Sequence, residues 1–158
     1  MKIFPPLIVL ALLAAPAATA ADAKKHDATS LNAADLKWGD PPPEIPKGAR
    51  LAVLHGDPGK KGPFTIRLKL PAGFKIAPHW HTNDEQLTIV SGTFVMHMGD
   101  TMDGPATTLT AGGFHFLPGK MHHAAEIKGE TIVQVNSTGP FDIHYVNPAD
   151  NPAKSAAK

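Results

Sequence analysis

Two histidines and a glutamate lie close together near the middle of the chain, at His79, His81 and Glu85. Side chains alternate between the two faces of a β-strand, so the imidazoles of residues two apart point the same way, while Trp80 between them faces away. The three residues before Glu85 are enough for a bend that returns its carboxylate to the same point. Two imidazoles and a carboxylate form a ligand set for divalent iron and similar ions, with coordination positions left open for substrate.

A pair of surface histidines on a strand edge is the alternative interpretation of this segment. The surrounding residues favour a metal site, because the skeleton G-x5-H-x-H-x3-E-x6-G, from Gly73 to Gly92, combines four separate spacings that agree with a metal-binding strand pair. We therefore predict that His79, His81 and Glu85 bind one divalent transition metal.

A second group of histidines follows further along the chain. Residues 112–123 have the pattern of a strand, a tight turn at Pro118-Gly119, and a return strand that starts with His122 and His123. In a closed sheet this return strand can lie beside the first histidine pair. A three-ligand cluster usually needs one more ligand, and either histidine is a candidate.

The two segments resemble the paired motifs of the cupin superfamily, G-x5-H-x-H-x3,4-E-x6-G and G-x5-P-x-G-x2-H-x3-N. The first motif matches at every defined position, and the second matches Gly112 and Pro118 and then departs, with Lys120 at a position where the family usually has glycine. Counting from Pro118 makes His123 the fourth ligand, whereas counting from Gly119 gives His122. We favour His123, because the frame from Gly112 to Pro118 is intact.

The resemblance covers roughly residues 50–147 and implies a small single-domain cupin, an antiparallel jelly-roll barrel with a metal at its mouth. It implies a ligand set of His79, His81, Glu85 and His123. Iron, manganese, nickel, copper and zinc all accept such ligands. The same resemblance, to small exported bacterial cupins, makes a homodimer by edge pairing or exchanged arms one expected assembly.

Strand patterns in the rest of the chain agree with an all-β fold. Residues 64–70 alternate cleanly between apolar and polar side chains, which indicates a half-buried strand. Further short strands, separated by Gly- and Pro-containing turns, are predicted at residues 51–55, 86–90, 93–98, 114–117, 122–126, 131–136 and 141–146. Many short strands at this spacing favour an antiparallel sandwich or jelly-roll barrel.

The two ends of the chain differ from the barrel region. Residues 1–20 combine an early lysine, an apolar run and a small-x-small site at Ala18-Thr19-Ala20, which is the pattern of a secretory signal peptide. We predict an irregular Pro-rich arm over 21–50, a barrel over 51–147 and a flexible tail over 148–158. The expected location is the periplasm or the medium, with no membrane attachment after cleavage.

Composition excludes several functional classes. The chain has no cysteine, so a metal site must use nitrogen and oxygen ligands. Fifteen basic and 14 acidic residues give a formal charge of +1, which offers no electrostatic reason to expect nucleic acid or a membrane as a partner. A small-molecule substrate is the partner that remains.

These observations favour a metal-dependent enzyme that acts on a small oxygenated organic substrate. A dioxygenase-type oxidoreductase is the leading hypothesis, with Glu85 as a ligand at rest and a proton acceptor when substrate binds. A metal-dependent isomerase or lyase acting on a sugar acid is the second, and a non-catalytic cupin that binds metal or a small molecule is the third. An apolar pocket beside the metal favours an enzyme, whereas a pocket filled by the 21–50 arm favours a binding protein.

Overall fold

The computed structural model describes residues 28–155, which form ten strands and three short helical turns. The strands are β1 (Arg50–His55), β2 (Gly62–Leu70), β3 (Lys75–Trp80), β4 (Glu85–Ser91), β5 (Thr93–Met98), β6 (Ala106–Thr110), β7 (Phe114–Leu117), β8 (His123–Ile127), β9 (Thr131–Gly139) and β10 (His144–Tyr145). They make two five-stranded antiparallel sheets, in the orders β1-β2-β9-β4-β7 and β10-β3-β8-β5-β6. The predicted all-β antiparallel fold is confirmed.

The hydrophobic core lies between the two sheets, because both sheets send alternate apolar side chains into it. In β2 the predicted alternation is confirmed, with Phe64, Ile66, Leu68 and Leu70 all buried. The polar residues of the same strand face outward, where Arg67 Nε donates a hydrogen bond to Gln134 Oε1 at 3.1 Å. Because both sheets pack on this one core, the same alternation determines which side chains face inward at the barrel mouth.

A β-bulge in β3 determines which of its side chains face the interior. The pairing of β3 with β8 runs through Ile76↔Ala125 and resumes at His79↔His123, so β3 contains one residue more than its partner. Pro78 lies in this interval, which suits a bulge because proline has no N–H to give to the ladder. As a result Ile76 and His79 are both buried although they lie three residues apart.

One predicted strand is too long and one strand was not predicted, each for a physical reason. The predicted strand over 141–146 is reduced to His144–Tyr145, because Phe141 and Asp142 form hydrogen bonds with residues of neighbouring loops instead of a strand. Strand β6 (Ala106–Thr110) was not predicted at all, since it is a mostly exposed edge strand whose residues do not alternate in hydrophobicity.

The described part of the N-terminal arm is attached to the barrel through Trp38 and Glu44. Lys69 Nζ lies 5.0 Å from the centre of the Trp38 ring, and Arg50 donates a hydrogen bond to the Trp38 carbonyl. Tyr145 Oη donates to the Glu44 carbonyl at 2.7 Å. The arm therefore reaches the end of the barrel that carries the histidines.

Residues 148–155 contain a 3₁₀ turn (Pro148–Asp150) and the one-turn helix α1 (Pro152–Ser155), where the sequence predicted a loose tail. A further 3₁₀ turn, Ala33–Asp35, lies in the arm. Between residues 28 and 155 no helix has the length and apolar character that crossing a bilayer requires. The predicted signal peptide over 1–20 lies outside the described residues.

Candidate metal centre

Three buried imidazoles converge at the mouth of the barrel. His79 is in β3, His81 follows that strand directly, and His123 begins β8, where it pairs with His79. One ring nitrogen from each lies within 4.8 Å of those of the other two. The alternation of β3 turns Trp80 to the opposite face, as predicted. Such a group of three imidazoles is able to hold a divalent transition ion.

Each of the three rings is oriented by a main-chain carbonyl. His79 Nδ1 donates to Ala77 O at 2.8 Å, His81 Nδ1 to Asp142 O at 2.5 Å, and His123 Nδ1 to Met121 O at 3.0 Å. A carbonyl only accepts hydrogen bonds, so these contacts place the single proton of a neutral imidazole on Nδ1. The Nε2 lone pair of each ring is then free for a metal ion.

Glu85 lies beside the three imidazoles, at the start of β4. Its Oε2 is 3.7 Å from His81 Nε2 and 3.6 Å from His123 Nε2. Two donors that each lie about 2.1 Å from one ion are separated by about 3.4 Å in a tetrahedral site and about 4.2 Å at most. Both separations fall within this range, so Glu85 is able to share an ion with His81 and His123. The group whose ligand atoms all lie within 4.8 Å of one another contains the three histidines without Glu85, which was predicted as a fourth ligand.

Burial affects the protonation of all four groups in the same direction, towards the neutral form. Removal from water lowers the pKa of His79, His81 and His123, and that of His79 falls well below its usual value. Burial raises the pKa of the Glu85 carboxyl. Neutral imidazoles are the form that binds metal, and a carboxylate whose pKa is raised is a stronger base than one on the surface.

The adjacent histidine, His122, does not join this group. It is half-buried on the outer face of the sheet, where its Nδ1 donates to Asp100 Oδ1 at 2.6 Å. Its ring stacks at 6.4 Å from Trp80, which is the outward-facing residue of β3. Between the two alternatives left open by the sequence, the structure therefore brings His123, and not His122, to His79 and His81.

A cavity of about 370 Å³ opens beside the imidazoles and extends into the barrel. Most of its wall is apolar and includes Phe94, Met96 and Val135. The polar and charged residues in the wall are His79, His81, Glu85, His123, Asp142 and Glu44, and no lysine or arginine among the described residues contributes to it. The arm contributes Pro42, Glu44 and Ile45 to one side without filling the space.

The sequence did not identify residues 141–143 as part of this site. The Phe141 ring stacks on His81 with 4.3 Å between centroids, and Phe141, Asp142 and Ile143 all line the cavity. The prediction of a strand over 141–146 concealed this role, because strand periodicity does not indicate which main-chain carbonyl a distant histidine will contact.

Three other histidines lie on strands β5, β7 and β10, outside the group of three imidazoles. His144 lies on the outer face, where it stacks on Trp80 at 4.1 Å and contacts Asp142 Oδ2 at 2.8 Å. His97 is close to Glu126, with 3.8 Å between its Nε2 and the carboxylate. His115 is near enough to His123 to disfavour protonation of that ring and so contributes to its lowered pKa. Of the three, His144 has the most direct connection to a buried imidazole, through Asp142.

Comparison with known structures assigns the fold. The RmlC-like cupin from Shewanella frigidimarina matches with a TM-score of 0.55 and 20% identity, over 70% of this chain and 90% of that chain. The polyketide cyclase RemF from Streptomyces resistomycificus matches with a TM-score of 0.67 and 15% identity, over 83% and 94%. A putative acetylacetone dioxygenase from Methylibium petroleiphilum matches with a TM-score of 0.62 and 20% identity, over 85% and 96%. The protein has the cupin fold.

A family model narrows this assignment. Residues 14–144 match a domain of unknown function, DUF4437, and the chain belongs to that family. No protein sequence of curated function matches it. The fold and a buried histidine group suited to a metal ion are therefore shown, whereas the reaction must be inferred from the site itself.

Proposed function

We propose that this protein is a metal-dependent enzyme that acts on a small, largely apolar organic molecule through its oxygen atoms, with dioxygen-dependent cleavage as the reaction. The observation that supports this best is the combination of three carbonyl-oriented imidazoles with an apolar cavity directly beside them. A divalent transition ion held by these residues would supply Lewis acidity and, if redox-active, electron-transfer chemistry with dioxygen.

The proposed division of roles follows from the positions of the side chains. His79, His81 and His123 hold the ion, each with its Nδ1 proton on a carbonyl. Glu85 Oε2 is near two of the imidazole nitrogens, so a carbon or oxygen acid bound there lies within reach of the carboxylate. Because burial raises its pKa, Glu85 is suited to accept a proton from such a substrate.

The residues of the cavity wall favour an uncharged substrate. Apart from the proposed metal ion, a sugar acid would find no cationic partner for its carboxylate, because none of the described lysines or arginines lines the cavity. Two acidic residues, Glu44 and Asp142, belong to the wall and would repel an anion. Of the matched structures, the putative acetylacetone dioxygenase is named for a small neutral diketone and the cyclase for a polyketide. A β-diketone or a related enolisable ketone is therefore the first substrate class to test.

The test is elemental analysis followed by dioxygen uptake. We expect about one iron, manganese, nickel or copper ion per chain, and dioxygen consumption with 2,4-pentanedione but not with a hexuronate. Glu85→Gln is expected to keep most of the metal and lose most of the turnover. Failure to bind any metal after reloading would reject the proposal, and turnover of the hexuronate alone would favour the isomerase or lyase alternative.

The non-catalytic alternative is supported by one feature, the position of the arm. Pro42, Glu44 and Ile45 border the cavity and bring the arm close to any bound molecule. A protein of this kind would show a ligand-induced rise in melting temperature with the diketone and no product.

We also propose, from the N-terminal sequence, that the protein is exported to the periplasm or medium, which fractionation of cells would test.

A further inference from the structure

The loop Pro140–Ile143 connects β9 to β10 and contacts both the cavity and the imidazole group. Phe141, Asp142 and Ile143 line the cavity. The Asp142 carbonyl accepts the hydrogen bond from His81 Nδ1 at 2.5 Å. The loop is thus part of the substrate wall and also the structure that orients one of the three imidazoles.

His81 depends on this loop in a way that the other two imidazoles do not. The carbonyls that orient His79 and His123 belong to Ala77 and Met121, each two residues earlier on the same stretch of chain. The carbonyl that orients His81 is 61 residues away in sequence. Local backbone geometry therefore fixes the first two contacts, whereas the His81 contact exists only if the loop is held in place.

The Asp142 side chain supplies that attachment. Its Oδ1 accepts from the Thr82 main-chain N–H at 2.8 Å, and its Oδ2 accepts from Thr82 Oγ1 at 2.6 Å. His144 Nε2 lies 2.8 Å from the same Oδ2. Thr82 directly follows His81 in the chain, so Asp142 holds the His81 ring through its carbonyl and the adjoining backbone through its carboxylate.

Three further hydrogen bonds support the loop from other sides. Asn83 Nδ2 donates to Thr138 O at 2.7 Å and to Pro140 O at 3.2 Å, and Phe141 N–H donates to Pro58 O at 2.8 Å. These contacts involve main-chain acceptors outside Asp142. Because they do not involve the Asp142 carboxylate, we expect them to keep the loop close to the barrel when that carboxylate is removed. Substitution of Asp142 therefore tests positioning rather than folding.

We propose that Asp142 is a positioning residue, whose carboxylate holds its own carbonyl against His81 and so keeps that imidazole in the Nδ1–H tautomer with Nε2 facing His79 and His123. The consequence for metal binding rests on the proposed function, but the orientation of His81 does not. Any residue at position 142 has a carbonyl, so the aspartate is needed for the attachment to Thr82 and not for the hydrogen bond itself.

The experiment follows the tautomers of histidine rings in metal-free protein by long-range ¹H–¹⁵N spectra at about pH 8, where neutral imidazoles predominate. In the wild type we expect His79, His81 and His123 all in the Nδ1–H form. Of these three imidazoles, Asp142→Ala should convert only His81 to a mixture of tautomers, whereas His144 loses a partner of its own in this variant. The unchanged signals of His79 and His123 in the same spectrum report that the barrel is folded.

Asp100→Ala is the matched control, because Asp100 forms a similar carboxylate–imidazole contact with His122 at 2.6 Å on the outer face. It should leave the His81 signals unchanged. His144→Ala removes one of the three contacts to the Asp142 carboxylate and should have a smaller effect than Asp142→Ala. Unchanged His81 signals in Asp142→Ala, or equal changes in Asp142→Ala and Asp100→Ala, would overturn the proposal.

Cobalt affinity provides a second measurement that separates this inference from the proposed function. Removal of a group that orients a metal-binding imidazole costs about 10–100-fold in affinity, so Asp142→Ala should bind cobalt that much more weakly and Asp100→Ala should bind it as the wild type does. If the wild type binds no metal while the tautomer changes occur as expected, the metal function fails and the positioning role of Asp142 stands. If cobalt affinity is the same in Asp142→Ala and wild type, the positioning has no consequence for metal and that part is rejected.

Discussion

The inner and outer faces of the sheet at the barrel mouth carry two rows of aromatic side chains on the same three strands. Register places Tyr145, His79 and His123 in one row, and His144, Trp80 and His122 lie beside them on the opposite face. The sequence supplies histidine to both rows. Among the residues that the structure describes, the two histidines of the inner row, together with His81, form the group able to hold a metal ion.

The two rows differ in the partners of their ring nitrogens. Each inner histidine donates Nδ1–H to a main-chain carbonyl and is buried, so its second nitrogen is unprotonated and directed at its neighbours. The outer histidines are partly exposed and contact carboxylates, His122 with Asp100 and His144 with Asp142. Burial and a carbonyl partner, and not the residue type, therefore distinguish a metal-binding imidazole from a surface one.

Substitution of two adjacent histidines gives the sharpest contrast between the rows. Because loss of an orienting partner alone costs about 10–100-fold in metal affinity, His123→Ala, which removes a donor itself, should weaken binding by more than about 100-fold. His122→Ala should change the affinity by less than about 2-fold. Isothermal titration with zinc or cobalt measures both, and equal losses in the two variants would show that the rows are not distinct.

The pH dependence of stability should come from the inner row. Burial lowers the pKa values of His79, His81 and His123, so below their usual value of 6.5 the unfolded chain binds protons that the native chain does not. The stability of chelator-treated protein should fall as the pH drops below that value and continues down through the lowered pKa values, by at most about 1.4 kcal/mol per pH unit for each imidazole. Denaturant unfolding across this range should give a shallower slope for His79→Ala than for the wild type, and equal slopes in the two proteins would contradict the prediction.

Glu85, in the cavity wall, and Glu126, in β8 of the other sheet, should respond with opposite signs to substitution by glutamine. Burial raises the pKa of Glu85, so its stabilising contribution disappears as the pH rises through that value, and Glu85→Gln should raise the melting temperature of metal-free protein at neutral pH. The hydrogen bond from Lys128 lowers the pKa of Glu126, whose contribution is present above its unfolded value, so Glu126→Gln should slightly lower the melting temperature. Matching signs in a thermal scan would contradict this difference.

The smallest effect is expected from the ion pairs of the outer row. Asp100→Ala removes the carboxylate partner of His122, which is partly exposed, and exposed pairs of this kind contribute about 0–1 kcal/mol. Urea unfolding at neutral pH should therefore show a change within about 1 kcal/mol, with wild-type metal affinity. A larger loss would mean that the outer row supports the barrel more than its exposure indicates.

Much of the fold was predictable because it depends on local patterns. The alternation in β2 and the turns between short strands indicated antiparallel sheets, and the spacing of His79, His81 and Glu85 indicated that these groups lie close together. The predicted strand pair is wrong, because β3 and β4 belong to different sheets. His123 was favoured over His122 by motif counting alone. Lys120 occupies the position where the family usually has glycine, and its φ of 66° shows that the chain keeps the left-handed turn despite a side chain there.

The remainder depends on tertiary contacts that no local pattern encodes. The carbonyl that orients His81 belongs to Asp142, a residue of a loop that apolar alternation had assigned to a strand. The edge strand β6 is mostly exposed, so no hydrophobic pattern indicates it. The arm's contribution to the cavity likewise arises from packing of Pro42, Glu44 and Ile45 on the barrel, which Pro-rich sequence alone does not specify.

The side chains that β3 presents at the barrel mouth depend on the number of residues in the strand and on its bulge. Between Ile76 and His79 the strand contains one residue more than the paired stretch of β8. Without a bulge, one additional residue would move every following side chain to the opposite face of the sheet. In a regular strand Ile76 and His79, three residues apart, would face opposite sides, which would direct Trp80 into the cavity and His79 and His81 into solvent. Deletion of Ala77 would remove the extra residue together with the need for a bulge, and would leave His79 on the same face as Ile76. The bulge therefore determines whether these imidazoles are buried or face solvent, which makes the irregularity of this strand as important for the histidine group as the identity of its histidines.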